Sequence, residues 1–361
     1  MTIAPHDIAD RAQYHVARAL GRLPEPLQQL LAGGRPQVVD GQTLDPHLHL
    51  LTVLRRLRRV PGLVEPDYQT GRARFRREMR ALAGPVEPVG RVHDFTIDGP
   101  GGAIAVRHYG PEAPPTRPLL VYLHGGGFVI GDLDTHDQCC RIICREARVH
   151  VLAVDYRLAP EHPFPAAVDD ATAALHWARA HAASFGADPA RVALGGDSAG
   201  GNLTAVVSAA ERDRGAPPFV QLLIYPVVDA ATDLRPSAAL FGEGYFLSNA
   251  DRAAFSRHYL GARPPSAIDP RLAPLRARDF GGLPPSLVVT AGFDTLRDEG
   301  EEYAAALDAA GVDVRLRRFA SLGHGFVNMT GITPSAREAM IQIGCELRAL
   351  LDAAHRSSSA P

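Results

Sequence analysis

Ser198 stands in Gly196-Asp197-Ser198-Ala199-Gly200, a G-x-S-x-G pattern between the apolar run 192–194 and a helical stretch expected to begin near Asn202. A serine hydroxyl is a weak nucleophile, so acyl chemistry here needs a base and a group that orients the base. A sharp strand–turn–helix would hold Ser198 in a sparsely populated backbone conformation, with Gly196 and Gly200 removing the clashes that side chains would make. Amides at the helix start favour negative charge developing above them. The competing reading is a plain glycine-rich turn. A P-loop is excluded, because no lysine follows the glycines.

In this arrangement the partners are expected in the order serine, acid, histidine. Asp294 comes just past the apolar run "SLVVTAG", and His324 lies between two glycines in "SLGHGF", after the last apolar run. Asp298 and Glu299 are rivals for the acid but fit better as the start of a helix, where acidic side chains complement the dipole. His355, a rival for the base, falls in the tail. The tetrahedral intermediate of acyl transfer also needs donors for its oxyanion. The stretch His124-Gly125-Gly126-Gly127 follows the run 119–123 and offers bare glycine amides, with the amide of Ala199 as a further donor. His124 itself is expected to be structural, anchoring this loop.

These residues need elements that bring them to one rim. Residues 91–97 and 103–109 flank the turn-forming "DGPGG" and predict an antiparallel pair. Short apolar runs follow at 119–123, 149–155, 192–194, 220–225, 286–290 and 312–319, alternating with helical stretches such as 166–181 and 333–354. That rhythm predicts an α/β fold with a mainly parallel sheet covered on both faces. In the last run Val312, Val314 and Leu316 alternate with Asp313, Arg315 and Arg317, the pattern of a half-buried edge strand that could pair with a second copy as a homodimer. Three parts are expected: an N-terminal helical arm or cap over 1–88, a core over 89–355 with a cap insertion at about 228–262, and a disordered tail at 356–361. The aromatics Phe241, Tyr245, Phe246, Phe255 and Tyr259 of the insertion are expected to shape an apolar pocket above the sheet.

Composition narrows the function classes. The 361 residues are 46% hydrophobic and 22% charged, with a formal net charge of −2 that gives no general pull toward nucleic acid or anionic membrane. Arginines cluster at 55–59 and 72–80, and are expected to be solvated helix faces. The four cysteines match no common zinc spacing and are expected to be buried free thiols. No apolar run reaches spanning length and the start lacks a secretion-signal layout, so a cytoplasmic protein without an integral membrane segment is expected. No metal or organic cofactor is called for.

Taken together, HGGGF (124–128), DYRLAPEHPFPAAVDD (155–170), GDSAGGN (196–202), DTLRDEG (294–300) and GHGF (323–326) resemble the bacterial hormone-sensitive-lipase family, GDSAGG branch, of α/β-hydrolase carboxylesterases. The resemblance spans the chain from about residue 90 onward. It implies an α/β-hydrolase fold with a mostly parallel eight-stranded sheet flanked by helices and roofed by a helical cap. It implies a triad of Ser198, Asp294 and His324, an oxyanion hole of Gly126, Gly127 and Ala199, and a homodimer. Arg157 and Glu161 are expected to brace the turn behind the site. The activity implied is hydrolysis of small-molecule acyl esters of short to medium chain. An amidase or deacetylase on the same triad, or a non-catalytic ligand-binding receptor, are the alternatives, and the presence of His324 counts against the receptor.

Overall fold

Alternation along the central strands decides how the sheet is covered. In the run 117–123, Leu120 and Tyr122 pack on one face while Leu119, Val121 and Leu123 pack on the other, all fully buried. A strand buried on both sides must have helices on both faces, which demands long crossovers and favours parallel pairing. The computed structural model, which describes residues 19, 21–112, 116–229, 235–261 and 269–358, has this form.

The main sheet has eight strands: β1 (Arg91–Gly99), β2 (Gly102–Gly110), β3 (Arg117–Leu123), β4 (His150–Asp155), β5 (Ala187–Asp197), β6 (Gln221–Ile224), β7 (Ser286–Phe293) and β8 (Val314–Gly323). Their order is β1-β2-β4-β3-β5-β6-β7-β8, with β2 antiparallel to its neighbours and every other pairing parallel. The fold is therefore α/β, and β8 lies at an edge of the sheet.

The described helices are α1 (Glu25–Leu31), α2 (Pro46–Leu57), α3 (Tyr68–Leu82), α4 (Asp137–Ala147), α5 (Ala166–His181), α6 (Ala199–Asp213), α7 (Pro236–Phe241), α8 (Asn249–Leu260), α9 (Arg297–Ala309) and α10 (Pro334–Ser358). Helices α4 and α10 cover one face, through Cys140, Ile143, Met340 and Leu347 among others. Helices α5 and α6 cover the other, through Leu175 and Leu203, and α9 joins them through Tyr303 and Leu307. Cys139, Cys140 and Cys144 are buried free thiols in α4.

Several expectations shift in detail. Helix α6 begins at Ala199 rather than near Asn202, because packing of its first turn beneath β3 outweighs the poor helix propensity of Gly200 and Gly201. Residues 356–358, expected in a disordered tail, continue α10, and 359–361 lie outside the described residues. Of the N-terminal arm, 1–18 and 20 also lie outside them. The arginine clusters are not simply solvated: Arg76 pairs with Asp132, Arg80 with Asp134 and Arg55 with Glu78 at 2.9 Å. Among the described residues no helix is long and apolar enough to cross a membrane.

Candidate active site

Parallel strands deliver the segments beyond their carboxyl ends to one rim. Ser198 follows β5, Asp294 follows β7, His324 follows β8 and the loop 124–127 follows β3. Residues 126 positions apart in sequence thereby meet: the Nε2 of His324 lies 3.0 Å from the Oγ of Ser198. The Nδ1 of His324 lies 2.8 Å from an Asp294 carboxylate oxygen, and the other Asp294 oxygen accepts from the Leu296 amide at 2.9 Å. Asp294 is only 1% exposed, so its side chain is held out of water against the imidazole.

Ser198 has φ 54° and ψ −116°, a conformation that costs a residue with a side chain about 1–3 kcal/mol. Its surroundings force it. The Ser198 amide donates to the Ile224 carbonyl at 2.9 Å and its carbonyl accepts from the Asn202 amide at 3.0 Å, so the chain must reverse within one residue. A Cβ on Gly200 would overlap the Leu123 carbonyl, which explains why a glycine opens α6 here.

The glycine loop is held from below and above. The Gly125 amide donates to Asp197 at 2.9 Å, and the Gly126 carbonyl accepts from Val129 and Ile130 at 3.1 and 3.0 Å. Gly126 has φ 124°, and a Cβ there would overlap the Ile130 carbonyl. Among the described residues no protein acceptor takes the amide hydrogens of Gly126, Gly127 or Ala199. Phe255 of α8 lies directly over Gly127. His124 is buried, places its Nδ1 2.8 Å from the Gly125 carbonyl and stacks on Tyr156 at 4.4 Å.

Ser198, His324 and the glycine loop open into a cavity of about 320 Å³. Of the aromatics expected from the insertion, Phe246, Phe255 and Tyr259 line it, and Tyr259 stacks on Phe128 at 3.8 Å. Phe241 and Tyr245 do not line it: they pack on Phe293 at 5.4 and 5.6 Å, away from the cavity, because α7 faces the end of β7. Leu51 of α2 and Phe75, Met79 and Leu82 of α3 supply the opposite wall. Their spacing of i, i+4, i+7 in α3 is a readable apolar stripe, hidden in the sequence by the surrounding arginines.

The arginine-rich helix also locks onto the site's rim. Arg72 makes a two-pronged pair with Glu161 at 2.7 and 2.8 Å, and donates to the carbonyls of Val129 and Ala159. Glu161 thus braces the loop through α3, whereas Arg157 pairs with Asp170 at the start of α5. Helix α8 is tied down separately, its Asp251 accepting from the Leu63 amide at 2.7 Å. Asn202, not singled out from sequence, donates to the carbonyls of Val227 and Leu272 at 2.7 and 2.9 Å and joins two segments of the cavity wall.

Comparison with known proteins bears on what such a site does. A family model described as alpha/beta hydrolase fold matches residues 120–328. The chain is 49% identical over 319 residues to the carboxylic ester hydrolase LipN of Mycobacterium tuberculosis, covering 86% of this chain and 84% of that one. It is 35% identical over 314 residues to an ethyl acetate hydrolase of Pseudomonas putida, covering 83% and 97%. Among solved structures, an esterase of Pyrobaculum calidifontis superposes with a TM-score of 0.77 at 40% identity, covering 82% of this chain and 97% of the other.

Proposed function

Because the chain belongs to the hormone-sensitive-lipase-like family of α/β-hydrolase carboxylesterases, we propose that it hydrolyses short- to medium-chain acyl esters through Ser198, His324 and Asp294. The observation that carries this reading is the relay of 3.0 and 2.8 Å from hydroxyl to imidazole to buried carboxylate, beside amides that find no protein acceptor among the described residues. In this mechanism Ser198 Oγ attacks the acyl carbonyl carbon while its proton passes to Nε2 of His324. Asp294 holds the Nδ1–H and stabilises the imidazolium that forms. The amides of Gly126, Gly127 and Ala199 receive the oxyanion. The imidazolium then protonates the leaving alcohol, and water repeats the two steps on the acyl-enzyme.

The apolar cavity walls favour an aliphatic acyl or alcohol group, and the relative named for ethyl acetate supports a short one. Hydrolysis of p-nitrophenyl esters should therefore be efficient from about two to eight acyl carbons and fall sharply for long chains. An organophosphonate should stop it while adding one phosphonyl group to Ser198, read by mass spectrometry of peptides. Labelling elsewhere with full inhibition would sink the assignment. A ligand-binding receptor would lack the base, and His324 at hydrogen-bond distance from Ser198 favours the enzyme.

The same reading includes a homodimer through the edge strand 312–319. Its support is the open side of β8, where Leu316 is 47% exposed. Size-exclusion with light scattering should give the mass of two chains, and a single-chain mass at micromolar concentration would exclude it.

A further inference from the structure

We propose that His136 and Asp197 form a buried charge pair serving the oxyanion loop, Asp197 fixing its first glycine and His136 supplying the positive charge that keeps Asp197 from opposing the substrate oxyanion. The inference rests on the serine-esterase reading and deepens it. Asp197 immediately precedes the nucleophile, is 3% exposed, and accepts from the Gly125 amide at 2.9 Å, the Tyr122 hydroxyl at 2.8 Å and the Tyr225 hydroxyl at 3.4 Å. His136, 2% exposed, stands between the glycine loop and α4 with its Nε2 3.4 Å from the same carboxylate. Both residues line the cavity that holds Ser198 and Gly126.

A carboxylate there creates a difficulty as well as an anchor. It orders the loop whose next amides are to receive a negative charge, yet its own charge, in a dry site, works against that charge. A protonated His136 resolves it. Burial alone would push His136 down, but Asp197 above all, with Cys139 of α4 and Asp132 of the preceding loop, raises it to about 9. Burial would push the Asp197 carboxyl up, and the His136 charge with the bonds from His136 and Tyr122 hold it below the usual carboxylate range instead. The other ring facing His136 is His124, 5.4 Å away, which burial and His136 push down to about 4, leaving it uncharged at neutral pH. Burial keeps Tyr122 and Tyr225 protonated as donors, and the Asn328 side-chain amide, 3.2 Å from Nε2, accepts from a protonated ring with its amide oxygen turned toward it.

His136 and Asp197 are positioning residues, and the test reads charge balance rather than bulk. In the full chain His136→Gln should lower kcat for p-nitrophenyl butyrate by roughly 10–100-fold with KM little changed, since Asp197 is left buried and uncompensated. Asp197→Asn, whose carbonyl still accepts from Gly125, should cost under about tenfold. The double variant should return to about the Asp197→Asn rate, whereas two unrelated structural lesions would multiply. Background-corrected wild-type kcat should also fall above pH about 9 as His136 loses its proton, and that limb should be absent in the double variant. This comparison holds even if His136→Gln does not fold. A His136→Gln rate near wild type, a double variant at the product of the single losses, or a basic limb kept in the double variant each overturns the inference. If wild-type turnover survives Ser198→Ala, the esterase reading fails instead.

Discussion

Ser198→Ala is expected to lower kcat for p-nitrophenyl butyrate by on the order of 10⁴–10⁶-fold while leaving the thermal midpoint within a few degrees of wild type. The substitution deletes one oxygen whose bond within the protein is to His324 at 3.0 Å. It leaves the backbone at φ 54°, held by the Ile224 carbonyl and by the close approach of Gly200 to Leu123. Alanine tolerates that φ no better and no worse than serine, so stability should barely move. The amides of Gly126, Gly127 and Ala199 and the cavity remain, so substrate should still bind, and the residual rate should show no acyl-enzyme burst. A folded variant within tenfold of wild type would remove Ser198 from the chemistry.

Asp294→Asn is expected to cost about 10³–10⁴-fold in kcat with KM little changed, more than loss of a charge at an exposed site would. The reason is local geometry. One Asp294 oxygen accepts from the Leu296 amide at 2.9 Å, and that donor is buried. An asparagine must keep its carbonyl toward Leu296, which turns its NH₂ toward Nδ1 of His324. Nδ1 must then accept, so the proton moves to Nε2, and Nε2 loses the lone pair needed to take the Ser198 proton. Kinetics together with a thermal melt check this. If the asparagine variant stays within tenfold of wild type and folded, the carboxylate is not needed to set the tautomer.

Much of the fold was legible because its signals are local. The eight strands were each signalled by a short apolar or alternating run, and 166–181 was readable from Val168, Ala171, Leu175 and Ala178 recurring on one face. The start of α6 was not, because its glycines speak against helix by propensity and are present for the clearance beneath Leu123, a tertiary contact. The aromatic content of the insertion points Phe241 and Tyr245 toward the cavity, but it does not say which way a helix there faces, and both pack on Phe293 instead.

The candidate site divides in the same way. Residue types and their order in the chain nominate Ser198, Asp294, His324 and the glycine loop as candidates, because each chemical role admits few side chains and each follows a recognisable apolar run. Local patterns in the chain therefore specify the sheet and its edge strand and nominate the candidates for the reacting groups. Packing across the molecule sets the rest: Arg72 clamps Glu161, Phe75, Met79 and Leu82 face the cavity, and Asp197 and His136 pair beneath the loop. Periodicity records that a side chain is buried, but its partner is chosen by how distant strands are ordered in the sheet. That ordering is a property of the whole packed chain, and no short window of residues contains it.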